Sequence, residues 1–188
     1  SGARPVTTGS SDRASTKESH LVAIGEVGLD YKDGTGKRAE QIRLFEEMLQ
    51  LAKDHNLPCI FHVREAFNDF FAVLDNFPET KGVVHSFSDS PENLRKSLEH
   101  NFYIGVNGLA TFSDIPTPPL EKILLETDAP FLTPKPFRGK INEPGHVKDV
   151  ANWLSFKLGV SVEEIDTKTT ENAIQLFRIR NSVLLQAG

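Results

Sequence analysis

The chain has 188 residues, of which 38% are hydrophobic and 25% charged, with a formal net charge of −5. This is long enough for one domain with a real core, and the balance is that of a soluble globular protein. It excludes a membrane-spanning chain, because no apolar run approaches ~18 residues, and a protein that coats nucleic acid through a basic surface, but not an enzyme that meets phosphates through bound cations.

Residues 1–19 are rich in Ser, Thr, Gly and charge, with few large apolar groups. Such a stretch buries too little surface to offset its ordering entropy, so a disordered tail or an artificial leader is expected there, with the folded domain over 20–188. No signal-peptide h-region opens the chain, and the single Cys59 cannot form an internal disulfide. Both point to a reducing compartment, with the cytoplasm as the expected location and the nucleus also open. Cys59 lies in the apolar run Pro58–Val63 and is expected to be a buried packing residue.

From His20 onward, short apolar runs alternate with amphipathic segments. Leu21–Gly25 reads as a strand leading into Glu26–Asp30. A helix follows with Ile42, Phe45, Leu49 and Ala52 on one face, stopped at Asn56-Leu57-Pro58. Cys59–Phe61 is the next strand and ends at His62; Phe67–Phe77 reads as a helix; Gly82–Val84 is a strand ending at His85. Ser90 with Pro91 behind it predicts an N-cap and a helix to about Glu99. Phe102–Val106 and Ile123–Leu125 are the last strands, the second running into Glu126-Thr127-Asp128. Val147, Val150, Ala151, Leu154 and Leu158 recur at helical spacing, and the capping box Ser161–Glu164 opens a final helix through Ala173, Ile174 and Phe177.

Strand–helix alternation with near-continuous apolar strands predicts a parallel sheet covered by helices. No glycine-rich phosphate loop follows the first strand, which weakens a dinucleotide-binding sheet. Polar, ligand-type residues at several strand ends favour a TIM-type barrel, whose sites are built there. Glu26, His62, His85 and Asp128 are those residues. Alone, each is more often a hydrogen-bonded or capping group; together, their imidazole and carboxylate donors suit Zn, Mn, Fe or, for the carboxylates, Mg. Two such ions could activate a water and steady the leaving oxygen of a phosphodiester.

Ile24-Gly25-Glu26-Val27-Gly28-Leu29-Asp30-Tyr31 resembles the GE-x-GLD segment of the TatD deoxyribonuclease family of metal-dependent hydrolases. The same family's HxRDA resembles His62-Val63-Arg64-Glu65-Ala66, with Glu in place of Asp. Its HxF, YIGxxG, ETDAP and NEP-x-H segments resemble His85-Ser86-Phe87, Tyr103–Gly108, Glu126–Pro130 and Asn142-Glu143-Pro144-Gly145-His146. The resemblance covers roughly residues 21–178 in the family's order. It implies a (β/α)₈ barrel hydrolysing DNA phosphodiesters with two divalent ions (Mg, Zn or Mn). Glu26 would be a ligand shared by both ions, His62 and His85 would hold the second, and Asp128 would hold the first and help activate water. Arg64 would contact a substrate phosphate or form an ion pair, and Glu126 would support a ligand rather than bind metal. Asn142, Glu143 and His146 would contact substrate from a loop over the mouth or simply cap a helix, and Asp30 would hold its loop.

The resemblance also implies departures. The family's barrel opens on a strand ending in His-x-His, whereas none of His20, His55, His62, His85, His100 and His146 stands two residues from another. The first strand here resembles the family's fourth, so the expected fold is a barrel lacking its first three strands, with two open edges and an interior facing water. Asp114–Pro119 stands where the family has a helix. A variant, a fragment completed by a second chain and an artificially trimmed chain remain open. So do hydrolysis of a small ester, amide or phosphate, and a non-catalytic binding role.

Overall fold

The computed structural model describes residues 21–32 and 37–179; the tail expected at 1–19 lies outside them. Five strands, β1 (Ile24–Asp30), β2 (Cys59–Arg64), β3 (Gly82–Val84), β4 (Tyr103–Val106) and β5 (Ile123–Leu125), form one sheet in the order β1-β2-β3-β4-β5. All neighbours are parallel. A doubly wound sheet reverses direction at a switch point; this one does not, which is the winding of a TIM-type barrel. Among the described residues β1 and β5 do not pair with each other, so the barrel is an open arc.

Helices α1 (Arg38–Asp54), α2 (Phe67–Leu74) and α3 (Pro91–Glu99) connect the first four strands. Between β4 and β5 the chain makes only 3₁₀ turns at Gly108–Thr111 and Leu120–Lys122, because the prolines at 116, 118 and 119 cannot supply helix donors. Helices α4 (Val147–Leu158) and α5 (Val162–Phe177) follow β5. Ser90 and Ser161 cap α3 and α5, accepting from the Asn93 and Glu164 N–H groups at 3.2 and 3.1 Å. α2 ends at Leu74, three residues short of the expected Phe77. There the Asn76 and Phe77 amides turn back to Val73 and Leu74, and Pro78 disfavours helix at the residue before it. No described helix is long and apolar enough to cross a membrane.

On the outer face of the sheet, Val27, Leu29, Cys59, Phe61, Val84 and Ile104 pack under the helices against Phe45, Leu49, Phe70 and Leu74. The Phe61 and Phe70 rings meet edge to face at 5.1 Å. Cys59 is a buried packing residue, as expected, and burial pushes its thiol up to about 12.

The inner face differs from expectation. Ile60, Val83 and Leu124 stand two residues before His62, His85 and Glu126, on the same face of their strands, and point into the arc together with Tyr103, the register partner of Val83. Ala173, Leu176 and Phe177 of α5 pack on them, leaving Val83, Tyr103 and Leu124 buried rather than open to water. The Tyr103 hydroxyl donates to Gln175 Oε1 at 3.0 Å, and the buried Asn172 amide donates to the Leu120 and Ile123 carbonyls at 3.0 and 2.8 Å. The end of α5 thus floors the arc, and the polar residues occupy the opposite, C-terminal ends of the strands.

Candidate active site

Glu26 is the extra residue of a β-bulge: Gly25 pairs with Ile60 and Val27 with Phe61, leaving Glu26 without a partner. Bulges re-aim a side chain in this way. Its two oxygens reach toward His62 Nδ1 at 3.8 Å and His85 Nε2 at 3.9 Å. Two residues on, Gly28 has φ +145°, and a Cβ there would overlap the His62 carbonyl oxygen. Only glycine lets β1 approach β2 at the histidine.

Each imidazole is held by a carboxylate on one nitrogen. His62 Nε2 lies 3.0 Å from Asp30 Oδ2, and His85 Nδ1 lies 2.9 Å from Glu126 Oε2. An ionised carboxylate only accepts, so these nitrogens carry the proton. The other nitrogens, His62 Nδ1 and His85 Nε2, face Glu26 across the arc, and His85 Nε2 also lies 3.7 Å from Asp128 Oδ1.

Glu126 is itself fixed. Its Oε1 accepts from the Ser86 N–H at 2.7 Å and from Asn107 Nδ2 at 3.1 Å. Asn107, only 3% exposed, also donates to Ser86 Oγ at 2.9 Å and accepts from the Leu109 N–H at 3.0 Å. The carboxylate fits because residue 105 is glycine: a Cβ there would overlap it.

The backbone at the strand ends is strained. Glu65, Ser86 and Asp128 have φ of 55°, 49° and 56°. Each left-handed non-glycine residue costs on the order of 1 kcal/mol, and such strain clusters at functional sites.

Four carboxylates (Glu26, Asp30, Glu126, Asp128) surround two imidazoles, and the protonation equilibria respond. The Glu126 hydrogen bond lifts His85 to about 9 against the opposing effect of burial, with the charges of Glu126, Glu26 and Asp128 adding to it. Asp128 is raised, first by burial and then by the charges of Glu126 and Glu26, against the lowering influence of His85 and His62. Burial would raise Asp30 too, but the His62 hydrogen bond, the Lys32 N–H and the charges of His62 and Arg64 together hold it below the usual carboxylate range.

The donor set fits a divalent cation by chemistry. Nitrogen and oxygen ligands are present, each imidazole is oriented by a carboxylate behind it, and the surplus negative charge favours a cation. Among the described residues no three such side chains yet close into a finished cage. Two donors roughly 2.1 Å from one ion stand at most about 4.2 Å apart, so the 3.7–3.9 Å separations remain within that span.

The structure thus brings Glu26, His62, His85, Asp128 and Glu126 together. Arg64 ends β2 with its side chain exposed. Asn142 is 3% exposed, and its amide is occupied by its own loop: Nδ2 donates to the Thr127 and Phe131 carbonyls at 2.7 and 2.6 Å, and Oδ1 accepts from the Glu143 N–H. Glu143 is exposed. His146 Nδ1 bonds Asp149 Oδ2 at 3.0 Å, and its ring lies 4.6 Å from that of Phe137. Sequence reading missed Ser86, Gly105 and Asn107; the Y-I-G-x-x-G segment contains two of them but does not say what they face.

Residues 10–178 match the family described as TatD related DNase. A Bacillus subtilis protein named as the metal-dependent hydrolase YabD is 42% identical over 168 residues, covering 85% of this chain and 66% of the relative. The deoxyribonuclease Tat-D of Schizosaccharomyces pombe is 36% identical over 193 residues, covering 84% of this chain and 62% of the relative. The crystal structure of YJJV, a TatD homolog from Escherichia coli K12, superimposes with a TM-score of 0.77 at 32% identity, covering 85% of this chain and 65% of that one. The chain therefore spans just under two thirds of the length of these relatives.

Proposed function

Because the chain belongs to the TatD related DNase family, we propose that it carries the larger part of a divalent-metal-dependent hydrolase site for DNA phosphodiesters. One observation carries this reading: two imidazoles, each held from behind by a carboxylate, aim their remaining nitrogens at Glu26. The name of the fission-yeast relative supports DNA as substrate.

Glu26, His62 and His85 would hold one ion, and Glu26 with Asp128 would contribute to a second. Zn or Mn suits the mixed set, and Mg the carboxylate side. The chemistry that bound divalent ions supply at such a site is polarisation of the phosphodiester and a more acidic water. The protein's own groups do the rest. Asp30 and Glu126 fix the tautomers of the two imidazoles, so that in the neutral rings a lone pair rather than a proton faces the site. Asp128, whose carboxyl is raised, takes the proton of the attacking water on its carboxylate. Arg64, exposed at the end of β2, pairs with a substrate phosphate. Asn142 holds the loop that presents Asp128, while Glu143 and His146 border the mouth.

Calorimetric titration with Mn²⁺ or Zn²⁺, beside hydrolysis of an end-labelled oligonucleotide, tests the reading. Wild-type chain is expected to bind metal and cleave, and His62→Ala, His85→Ala and Glu26→Ala to lose both. Cleavage that persists in EDTA, or variants that bind metal as wild type does, would overturn it. Faster turnover of p-nitrophenyl acetate than of any phosphodiester would favour a small-ester hydrolase instead.

A further inference from the structure

β1 lies at the edge of the sheet, with β2 on one side and no strand among the described residues on the other. Successive residues of a strand turn their backbone groups to alternate edges. The Tyr31 N–H donates to the Arg64 carbonyl at 2.9 Å on the β2 side, so the backbone groups of Asp30 face the free edge. Edge groups of this kind are ordinarily left to water or to another chain. Here one half-buried side chain of α1 takes both. The Asp30 N–H donates to Gln41 Oε1 at 2.9 Å, and Gln41 Nε2 donates to the Asp30 carbonyl at 2.9 Å. A primary amide offers the donor and the acceptor of a peptide group, so Gln41 stands in for a neighbouring strand at this one residue.

Asp30 is also the residue that holds His62. Its Oδ2 lies 3.0 Å from His62 Nε2, and its Oδ1 accepts from the Lys32 N–H at 3.0 Å. Both carboxylate oxygens and both backbone groups of Asp30 are therefore committed, the backbone pair to Gln41. The helix that carries Gln41 is fastened in turn. One turn earlier on α1, Arg38 donates through Nε and Nη2 to the two oxygens of Asp69, in the first turn of α2. The Tyr31 hydroxyl donates to Asp69 Oδ2 at 2.7 Å. This ties the start of α1 to the residue after Asp30 and sets the place from which the Gln41 amide reaches β1.

We propose that Gln41 is a positioning residue of the candidate site, acting on His62 through Asp30. It fixes the backbone from which the Asp30 carboxylate is presented. That carboxylate orients the imidazole whose other nitrogen faces Glu26. Ligand atoms must be held to within about 0.5 Å for a metal site to work, and removing a group that orients a ligand typically weakens metal binding 10–100-fold. The consequence for metal binding rests on the function proposed above; the grip on Asp30 belongs to the metal-free chain.

Zn²⁺ calorimetry and NMR of the imidazole carbons and nitrogens in the metal-free protein, combined in a double-mutant cycle with Asp30→Ala, test the role. Gln41→Met keeps the length and helix preference of the side chain and removes both hydrogen bonds. It is expected to weaken Zn²⁺ binding about tenfold and to shift the His62 ring signals, leaving those of His85 and His146 in place. Gln41→Glu, which keeps the acceptor and removes the donor, should move the same His62 signals. In the Asp30→Ala background Gln41→Met should change Zn²⁺ affinity by less than about twofold, because the carboxylate it positions is gone. Gln50→Met, the same exchange at an exposed position of α1, should change neither readout. Ser161→Ala, which removes the remote cap of α5, should lower stability and likewise leave both in place. An equal loss of affinity from Gln41→Met in the two backgrounds, or unmoved His62 signals, would overturn the role. If the wild-type chain binds no Zn²⁺ the metal-site reading falls, and the His62 signals alone then decide: a shift upholds the grip through Asp30, and none overturns it.

Discussion

Replacing Glu126 by Gln tests the electrostatic logic of the site with almost no change of shape. Oε1 of residue 126 faces two donors, the Ser86 N–H and Asn107 Nδ2, so the glutamine oxygen must stay there. Its NH₂ then faces His85 Nδ1. Two donors cannot share that contact, so neutral His85 adopts the other tautomer, with its proton on Nε2 toward Glu26 and Asp128. The largest cause of the raised His85 value of about 9 is lost while the opposing burial remains, so the imidazole is expected to titrate at or below its ordinary 6.5. A group raised on folding stabilises the protein fully below its unfolded value and loses that contribution as pH rises through its folded value. The wild-type advantage should therefore be about 2 kcal/mol at pH 5.5, after discounting for solvent screening. Above pH 9 it should shrink to about 1 kcal/mol or less, the difference of one neutral hydrogen bond. In urea denaturation of the metal-free protein this is a midpoint shift of about 1 M at the lower pH. NMR of the imidazole carbons reads the tautomer directly. A stability loss that is equal at both pH values or grows with pH, or a variant His85 still titrating near 9, would refute the reasoning.

Gly105→Ala should push the Glu126 carboxylate off its donors and cost about 2–4 kcal/mol, overpacking plus disrupted charge-assisted bonds, read as a lower thermal midpoint together with a lowered His85 titration. Asn142→Ala deletes a buried amide bonded to two carbonyls of the loop that presents Asp128; a loss of about 2–3 kcal/mol is expected, with faster hydrogen exchange at residues 128–133 than elsewhere. The Cys59 thiol, buried and raised to about 12, should react with a disulfide reagent at neutral pH only when the protein unfolds, so modification should follow the denaturation curve.

Sequence periodicity determined the element order, the parallel sheet and the barrel type, because apolar runs and helical spacing are local properties and TIM-type winding puts ligand-type residues at strand ends. The ligand-type residues Glu26, His62, His85 and Asp128 stood out by their places after apolar runs, and the family resemblance added Glu126 as a supporting group. Only tertiary structure decided how they are held. The bulge at Glu26, the Asp30–His62 and Glu126–His85 pairings, and the clamp made by Ser86, Gly105 and Asn107 join residues 19 to 41 positions apart. The burial of Asn142 and the floor that α5 lays on Val83, Tyr103 and Leu124 were equally invisible beforehand. A hydrogen bond between two strand ends depends on register, strand spacing and the space that a missing Cβ leaves. Those quantities exist only once the strands lie side by side.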